Sequence, residues 1–369
     1  MRVAFFFGSL NRGGAESLVR DICARKDLTP FEIVCLYRKD GEYLNSFMET
    51  GVRMLKVEQK GKSFIRFLLS FRKAILGNKI DIVHAQTGFN ALICLVSLAF
   101  TSVKLVTTFH GFSFASAPYW QRKLVYGFCN KIICVSEFEK QYYQEKWNLL
   151  TKNKFCVVYN GMDFSKLDTD NPNSSSPVKP DKECLNMVMV GSFRSGRSQS
   201  FVCKVADELN KKRVRFNLYF VGRREPTESQ RYDSCVEFCA SHGLSEMVHF
   251  LGNRSDVPYL LKQMDLFLYA SEHDTFGIAV LEALASALPV IVNDWIVMKE
   301  ITDDGAYAHL YETDNVDDCL SKILDFRSCW INAPETIRDE SLRISKAVRE
   351  RYSIDNHIRM LNDIYLSCL

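Results

Sequence analysis

Short apolar runs recur along the first half of the chain, and amphipathic segments separate them. Most of these runs are apolar at nearly every position, which is typical of strands buried on both faces of a parallel sheet. We predict strands at 3–7, 31–37, 80–85, 104–110, 131–136 and 154–160, with helices between them. This repetition of strand and helix predicts a doubly wound α/β domain with right-handed crossovers.

The same pattern restarts after residue 182. Strands are predicted at 185–192, 215–222, 248–252, 265–271 and 289–294. Segments 200–212 and 229–243 have the apolar spacing of amphipathic helices. A last helix is predicted at 352–369, because its apolar side chains recur at Ile354, Ile358, Leu361 and Tyr365.

A polar segment, DTDNPNSSSPVKPDK at 168–182, separates the two halves. Its prolines and serines are typical of a linker, so we predict domains at 1–167 and 183–351. Two doubly wound domains in sequence leave a central cleft between them. In open α/β sheets the ligand lies beyond the carboxyl ends of the strands, so functional residues are expected there.

Charge is divided unevenly along the chain, although the net charge is only +3. Residues 1–165 hold 23 Lys and Arg against 13 Asp and Glu, whereas the remainder holds 24 against 31. This division suggests two units that meet different partners. Nucleic acid is a poor candidate partner, because the charge is modest and no basic patch interleaved with aromatic residues is present.

The 13 cysteines contain no C-x-x-C pair, which favours reduced, buried thiols in a cytoplasmic protein. We expect no secretory signal, because Met1 leads directly into an apolar strand that ends at Gly8. The longest apolar run, from Ala91 to Phe100, is about half the length that spans a bilayer. The pattern therefore excludes an integral membrane protein.

Candidate chemistry in the first domain lies where strands end. Gly13 and Gly14 follow the first strand, and they could form an anion-binding turn or a tight loop that needs positive φ. This stretch is not G-x-G-x-x-G, so a nicotinamide cofactor is not indicated. His110 stands at a strand end beside a glycine, which favours a functional role, whereas His84 is more typical of a hydrogen-bonded structural residue.

In the second domain, Arg194 and Arg197 lie in a short loop before a helix, an arrangement that could bind a diphosphate or simply be a solvated basic loop. Asp274 precedes another helix, expected to begin near Thr275 or Phe276, and could be its N-cap. Glu282 lies inside that apolar helix. Burial of a lone carboxylate demands a partner, either ligand hydroxyls such as a ribose diol or an internal arginine.

The order of these motifs resembles retaining glycosyltransferases of family four, which have the GT-B fold. The region S-x-x-[acid]-x-F-G-x-x-x-x-E-A followed by P-V is similar to the family's E-x7-E region. The motifs GGAE, DIVHAQ, TFHG, CVSEFEK, VVYNGMD, VGSFRSGR and HFLGNRSDVPYLL follow in the family's order. The resemblance covers nearly the whole chain, and it implies that helix 352–369 crosses back to the first domain.

The resemblance also implies roles for individual residues. Donor phosphate would lie near Gly13 and Gly14, and the donor sugar near His110. Arg194 and Arg197 would neutralise the diphosphate leaving group. The sugar hydroxyls of the donor would lie near Asp274, which stands where the family commonly has glutamate. The donor phosphate would lie near Thr275, Phe276 and Gly277. The ribose would lie near Glu282, and the base near Asn253.

The implied activity is transfer of a hexose from a nucleotide sugar, expected to be a UDP-sugar, to a glycan or lipid-linked glycan. The resemblance implies retention of configuration and a place in bacterial surface polysaccharide assembly. Two arginines and a helix dipole could replace a metal, so no cofactor or metal is expected. The D-x-D at 168–170 is not expected to bind a metal, because it lies in the polar linker rather than at a strand end. Segment 60–79 predicts a basic amphipathic helix that touches an anionic membrane from the cytoplasmic side, or an ordinary solvated helix.

Two other classes remain open at this point. One is a different GT-B enzyme, such as a nucleotide-sugar epimerase or a phosphorylase. The other is a non-catalytic subunit that binds a nucleotide sugar. Transfer of sugar without phosphate dependence would argue against the enzymes of the first class, and substitutions of Arg194 or Glu282 would separate catalysis from binding.

Overall fold

The computed structural model describes residues 1–11, 13–57, 63–147, 154–168, 178 and 180–369. The chain forms two compact units, Met1–Asp163 with Tyr352–Leu369 and Phe164–Arg351, called here the first and second unit. Most of the segment predicted as a linker, including two residues of the D-x-D at 168–170, lies outside the described residues.

The first unit is built on a parallel sheet whose strands follow the order β3-β2-β1-β4-β5-β6-β7 in the described chain. The strands are β1 (Arg2–Ser9), β2 (Glu32–Lys39), β3 (Arg53–Lys56), β4 (Ile82–Ala85), β5 (Lys104–Thr108), β6 (Lys131–Cys134) and β7 (Phe155–Val157). The helices between them are α1 (Gly14–Ala24), α2 (Leu44–Met48), α3 (Phe64–Gly77), α4 (Gly88–Leu98), α5 (Tyr119–Phe128) and α6 (Glu137–Trp147).

Strand β1 explains why this sheet lies inside the unit. Side chains from Val3 to Phe7 are buried whichever face they point to. One face packs its alternate residues against helices α3 to α6, and the other packs against α1 and the C-terminal helix. The strand order reverses between β1 and β4, so a ligand crevice is expected at the carboxyl ends of these two strands.

The second unit repeats the design with the strand order β10-β9-β8-β11-β12-β13 in its described residues. The strands are β8 (Leu185–Val190), β9 (Phe216–Val221), β10 (Val248–Phe250), β11 (Leu266–Tyr269), β12 (Val290–Asn293) and β13 (His309–Tyr311). The helices are α7 (Gln199–Lys211), α8 (Ser229–Ser241), α9 (Val257–Leu261), α10 (Ile278–Ala285), α11 (Ile296–Ile301), α12 (Val316–Asn332) and α13 (Pro334–Arg351). The order reverses between β8 and β11, which marks the corresponding crevice.

The last helix, α14 (Ile354–Leu366), belongs to the first unit, although its sequence follows the second. A backbone bridge between Met162 and Ser353 brings the chain back, and the Ser353 side chain caps the helix. Tyr365 then lies fully buried against the first sheet. Two doubly wound parallel sheets and a returning C-terminal helix confirm the fold predicted from the sequence.

Two edge strands were missed by the sequence pattern. β3 alternates charged and apolar residues, and β13 buries only Tyr311 fully. Both lie near the edges of their sheets, where one partner strand suffices and a continuous apolar run is not required. The pattern of full burial therefore located the central strands and passed over the short outer ones.

Candidate functional site

The candidate site of the second unit lies at the carboxyl ends of β8 and β11, where the strand order reverses. The loop after β8 carries both predicted arginines, and the loop after β11 carries Asp274. The two loops are joined by an antiparallel bridge between Arg197 and Ser271. Glu272 donates its amide to the carbonyl of Gly196 at 3.1 Å, and Ser271 Oγ donates to the same carbonyl at 2.8 Å.

Arg197 and Asp274 form an ion pair at the centre of this pair of loops, with 3.0 Å between Nη2 and Oδ1. Their side chains are 14% and 10% exposed, so the pair is largely desolvated. The Tyr269 hydroxyl donates to Asp274 Oδ2 at 2.5 Å and accepts from Arg197 Nη1. Burial and the Asp274 charge raise the pKa of Tyr269 well above its ordinary value, so the phenol stays protonated and donating.

This geometry revises the expectation for Asp274. The structure does not place it as an N-cap, because the N-cap of α10 is Gly277. Its carboxylate instead holds a guanidinium of the neighbouring loop. Tyr269, which supports both charges, was missed by the sequence analysis because it read only as an apolar residue at the end of a strand.

Gly191 leaves room for Arg197. A Cβ on this glycine would lie 2.7 Å from Arg197 Nη1, closer than side-chain atoms approach one another. The glycine that follows β8 therefore lets the guanidinium come close to the backbone, and a side chain there would displace the end of Arg197. Loop and strand end together fix where the positive charge of Arg197 lies.

Arg194 differs from Arg197 in having a free guanidinium. The residue is exposed, and within the described chain no hydrogen bond or ion pair involves its side chain. Its carbonyl accepts from the Arg197 amide at 3.2 Å, so the loop backbone is fixed while the side chain is not. The two predicted arginines are thus brought together, one held by protein groups and one available to a ligand.

Helix α7 begins directly after this loop, and its first amides add positive potential at the same edge. The N-cap residue, Ser198, makes no side-chain cap bond, because its hydroxyl donates to Glu272 Oε1 at 2.8 Å. A helix N-terminus and two guanidinium groups therefore lie on one side of the crevice.

The turn before α10 is tighter than the sequence suggested. The helix begins at Ile278, later than the predicted start at Thr275 or Phe276. Gly277 has a φ of +78°, and a Cβ there would lie 2.9 Å from Met298 and Ile301, so glycine is strongly favoured. Phe276 is buried in the unit, whereas Thr275 is half-buried. The amides of the first turn are therefore those from Ile278 onwards.

Glu282 lies in the second turn of α10 and is half-buried. Among the described residues its carboxylate has no hydrogen-bonding or ion-pair partner, so the predicted alternative of an internal arginine is not found. Burial raises the pKa of Glu282 to about 7, and the nearby positive charge of Lys166 acts in the opposite direction. The carboxyl group therefore lacks a partner of its own in an apolar helix.

Asn253 lies in the loop after β10. The Gly222 amide donates to the carbonyl of Gly252 at 2.8 Å, which ties this loop to the end of β9. The Arg254 guanidinium binds the buried Asp256 through two bonds of 2.8 and 2.7 Å. Asn253 is left exposed on a fixed loop.

In the first unit, Gly13 and Gly14 begin α1. Gly13 is the N-cap with extended backbone, so the alternative reading that it needs positive φ is wrong. The Glu16 carboxylate folds back over this turn, since a Cβ on Gly13 would clash with Glu16 Oε2. Burial raises the pKa of Glu16, which its own backbone amide partly offsets. Above Gly14 the space is open, because a Cβ there would meet no atom within 4 Å.

His110 follows β5 and is half-buried, with Nε2 lying 3.1 Å from Gln86 Oε1. Burial and the neighbouring His357 lower the pKa of His110 to about 4, so the ring is neutral at pH 7. Gln86, which follows β4, was missed as a partner of His110 by the sequence analysis, although it is the last residue of the DIVHAQ motif. The neutral ring can exchange hydrogen bonds with a ligand but brings no charge.

His84 is structural. Its Nδ1 lies 2.6 Å from the Tyr365 hydroxyl and its Nε2 lies 2.6 Å from Thr108 Oγ1. The ring is almost fully buried, and burial lowers its pKa well below the ordinary value. Both ring nitrogens are occupied, so this residue fixes α14 to the sheet.

Within the described residues, no helix is both long and apolar enough to cross a membrane. The same residues contain no group of three or more His, Cys, Asp or Glu side chains arranged to hold a metal ion.

Comparison with known proteins gives the family. The family described as Glycosyl transferases group 1 matches residues 170–347, and Glycosyltransferase Family 4 matches residues 12–166. The putative glycosyltransferase EpsF of Bacillus subtilis (strain 168) is 25% identical over 81% of this chain and 80% of its own length. The UDP-Gal:alpha-D-GlcNAc-diphosphoundecaprenol alpha-1,3-galactosyltransferase of Escherichia coli is 23% identical over 80% of both.

Among solved structures, Anabaena HepE in complex with UDP superposes with a TM-score of 0.82 at 15% identity, over 100% of both chains. Further HepE structures hold UDP with glucose, and UDP-glucose. At this identity the likeness shows the fold. The two family matches together span most of the sequence, and the chain belongs to the GT-B glycosyltransferases of the group 1 and family 4 type.

Proposed function

We propose that this glycosyltransferase moves a hexose from a UDP-sugar to a lipid-diphosphate-linked glycan, with retention of configuration and without a metal. It would work at the inner face of the cytoplasmic membrane, in the assembly of a bacterial surface polysaccharide. The observation that carries the proposal is the pairing of a protein-held Arg197 with a free Arg194 beside the N-terminus of α7.

Cleavage of a sugar–diphosphate bond leaves negative charge on the departing phosphate. Arg194 contributes an unengaged guanidinium, and Arg197 contributes a second one whose position is set by Asp274 and Tyr269. Fixed charges in a partly desolvated crevice stabilise the transition state because they need little reorganisation. Asp274 then acts first as a positioning residue for Arg197, and its effect on the donor sugar is exerted through that arginine.

Glu282 is the proposed ribose ligand. Its carboxylate lacks a protein partner, and two vicinal hydroxyls would supply the hydrogen bonds that burial demands. The HepE complexes with UDP and the UDP-galactose dependence of the Escherichia coli relative support a uridine donor. The diphosphoundecaprenol acceptor of that same relative supports a lipid-linked acceptor here.

The experiment is a donor and acceptor screen with purified protein. UDP-glucose, UDP-galactose, UDP-N-acetylglucosamine and GDP-mannose are each incubated with a prenyl-diphosphate sugar in detergent, with and without EDTA. We expect nucleoside diphosphate release with one UDP-sugar, undiminished by EDTA. NMR of the product should give the same anomeric configuration as the donor.

The other outcomes are equally informative. Release that is abolished by EDTA and restored by a divalent ion would contradict the metal-independent mechanism. Inversion at the anomeric carbon would contradict retention. Tight UDP binding with no transfer to any acceptor would favour a subunit that only binds the nucleotide sugar.

A further inference from the structure

The first unit exposes an unusual number of apolar side chains on three adjacent helices. Large apolar residues that the described chain leaves exposed are concentrated in α3, in α4 with the residues after it, and in α5. They are Phe64, Ile65, Leu69, Leu76, Phe89, Val96, Phe100, Tyr119, Trp120, Leu124 and Phe128. We call the outer side of these helices the three-helix face.

Helix α4 is the centre of this face and is apolar on both its inner and its outer side. Ala91, Cys94 and Leu98 are buried, whereas Phe89 and Val96 are 50% and 62% exposed. Phe100 follows the helix and is fully exposed. A helix that is apolar on every side is normally covered on every side, yet the outer side of α4 is open.

Helices α3 and α5 flank α4 and extend the apolar surface. In α3, Phe67, Phe71 and Ile75 face the core, while Ile65 and Leu69 point outward and are more than 60% exposed. The Arg72 guanidinium donates to the carbonyls of Ser97 and Ala99 at 3.1 and 2.6 Å, which fixes α3 beside the end of α4.

In α5 the outward residues recur at every fourth position. Trp120 and Phe128 are 60% and 68% exposed, with Leu124 between them, while Val125 faces the core. The Phe89 ring of α4 packs edge-on against Phe114, just before α5, with 5.0 Å between ring centroids. The three helices therefore form one layer on one face of the sheet.

The charged residues on the three helices of this face are all basic. Between residues 59 and 136 the sequence has ten Lys and Arg and a single acidic residue, Asp81. Arg66, Lys73 and Lys123 lie exposed on α3 and α5. An apolar centre with basic residues around it complements an anionic lipid surface, whereas self-association through this face would bring like charges together.

We propose that the three-helix face is the surface by which this protein docks on an anionic lipid bilayer, with α4 and α5 entering the interface beside α3. The proposal deepens the function proposed above, since it supplies the route to a lipid-linked acceptor. Trp120 and Phe128 would lie at the level of the headgroups and upper acyl chains. Arg66, Lys73 and Lys123 would contact the anionic headgroups.

The test is flotation of the full chain with vesicles of phosphatidylcholine alone or with phosphatidylglycerol. A face variant combines Val96→Ser, Trp120→Ser and Phe128→Ser. A matched control combines Ile331→Ser and Leu342→Ser, which remove two exposed apolar side chains of the second unit, 52% and 53% exposed. Circular dichroism checks that every variant is folded.

We expect the wild type and the matched control to bind phosphatidylglycerol vesicles and the face variant to bind more than about thirtyfold more weakly, because the lost side chains bury apolar area in the interface. A charge variant, Arg66→Gln with Lys73→Gln and Lys123→Gln, should bind up to about a hundredfold more weakly at low salt, at about fivefold per basic residue. High salt should weaken vesicle binding by the wild type until it approaches that of the charge variant.

Three results would overturn the proposal. One is a wild type that does not bind anionic vesicles, and another is a face variant that binds them as well as the matched control does. The third is a wild type that is a dimer in light scattering and a face variant that is a monomer, with no vesicle binding by either. This result would identify a self-association surface instead.

Sugar transfer to a short-chain acceptor in detergent separates this proposal from the proposed function. The face variant should transfer as fast as the wild type in detergent and lose rate only with a long-chain acceptor in vesicles. If the wild type transfers no sugar in detergent, the proposed function fails, while the vesicle-binding result is still decided by its own measurement.

Discussion

The ion pair between Arg197 and Asp274 gives the sharpest prediction about catalysis. If Asp274 acts by positioning Arg197, the contribution of Asp274 to kcat/KM depends on the presence of that arginine. We therefore consider Asp274→Asn and Arg197→Met separately and together. In the double variant the loss of kcat/KM should be no greater than in Arg197→Met alone. The guanidinium is already absent there, so Asp274→Asn cannot displace it.

The magnitude follows from the burial of the pair. Removing one partner of a fully buried ion pair costs about 3–5 kcal/mol, and an exposed pair contributes about 0–1 kcal/mol. With side chains 14% and 10% exposed, this pair lies nearer the buried limit. We expect Asp274→Asn to lower the free energy of unfolding by about 2–3 kcal/mol and kcat/KM by about a hundredfold, as for loss of one preorganised electrostatic contact.

The assay is a double-mutant cycle on kcat/KM for UDP release, with urea unfolding on the same four proteins. Asp168→Asn is the control, since Asp168 pairs with Arg349 where their side chains are 60% and 31% exposed. That substitution should change stability by less than about 1 kcal/mol and leave kcat/KM unchanged. If the losses for Asp274 and Arg197 instead multiply in the double variant, Asp274 acts on the substrate independently and the positioning role is wrong.

Three further predictions concern single residues. UDP-glucose affinity measured by titration calorimetry should fall about tenfold from pH 8 to pH 6, because Glu282, with its pKa raised to about 7, must be ionised to accept hydrogen bonds from the ribose. Glu282→Gln should remove most of this pH dependence, and an unchanged slope would exclude Glu282 as its source. Gly277→Ala should lower the free energy of unfolding by about 2–4 kcal/mol, and the control Gly243→Ala by about 1 kcal/mol. Both glycines have positive φ, but only a Cβ at Gly277 would meet neighbouring atoms. Equal losses in urea unfolding would contradict this. Tyr365→Phe should cost about 1–3 kcal/mol in the same assay by leaving His84 Nδ1 without its partner, and a cost near zero would show that the bond contributes nothing.

The architecture was predictable because burial on both faces leaves continuous apolar runs. Strand β1, from Arg2 to Ser9, is such a run, and the central strands were found in this way. The outer strand β13 was not, because it buries Tyr311 alone among its residues. The pattern of apolar residues depends on which side chains are buried. An edge strand is held mainly by backbone hydrogen bonds, which do not depend on the side chains and so cannot be recognised in the sequence.

The candidate site was predictable in part for a similar reason. A lone carboxylate in an apolar helix is conspicuous, so Glu282 was identified, and strand-end arginines are conspicuous too. The partner of Asp274 was not, because Arg197 lies far away in sequence and only the folded loops bring the two together. Tyr269 and Gln86 were hidden because each is an ordinary residue at the end of a strand.

The most direct test of the central claim is transfer of labelled sugar from a UDP-sugar to a prenyl-diphosphate acceptor by wild type, Arg194→Ala and Arg338→Ala. Arg194 and Arg338 are both exposed, but only Arg194 lies at the crevice of the second unit. We predict that wild type and Arg338→Ala transfer sugar at equal rates and that Arg194→Ala is slower by about a hundredfold or more. Equal rates for all three proteins would contradict the assignment of Arg194, and no transfer by any of them would contradict the proposed activity.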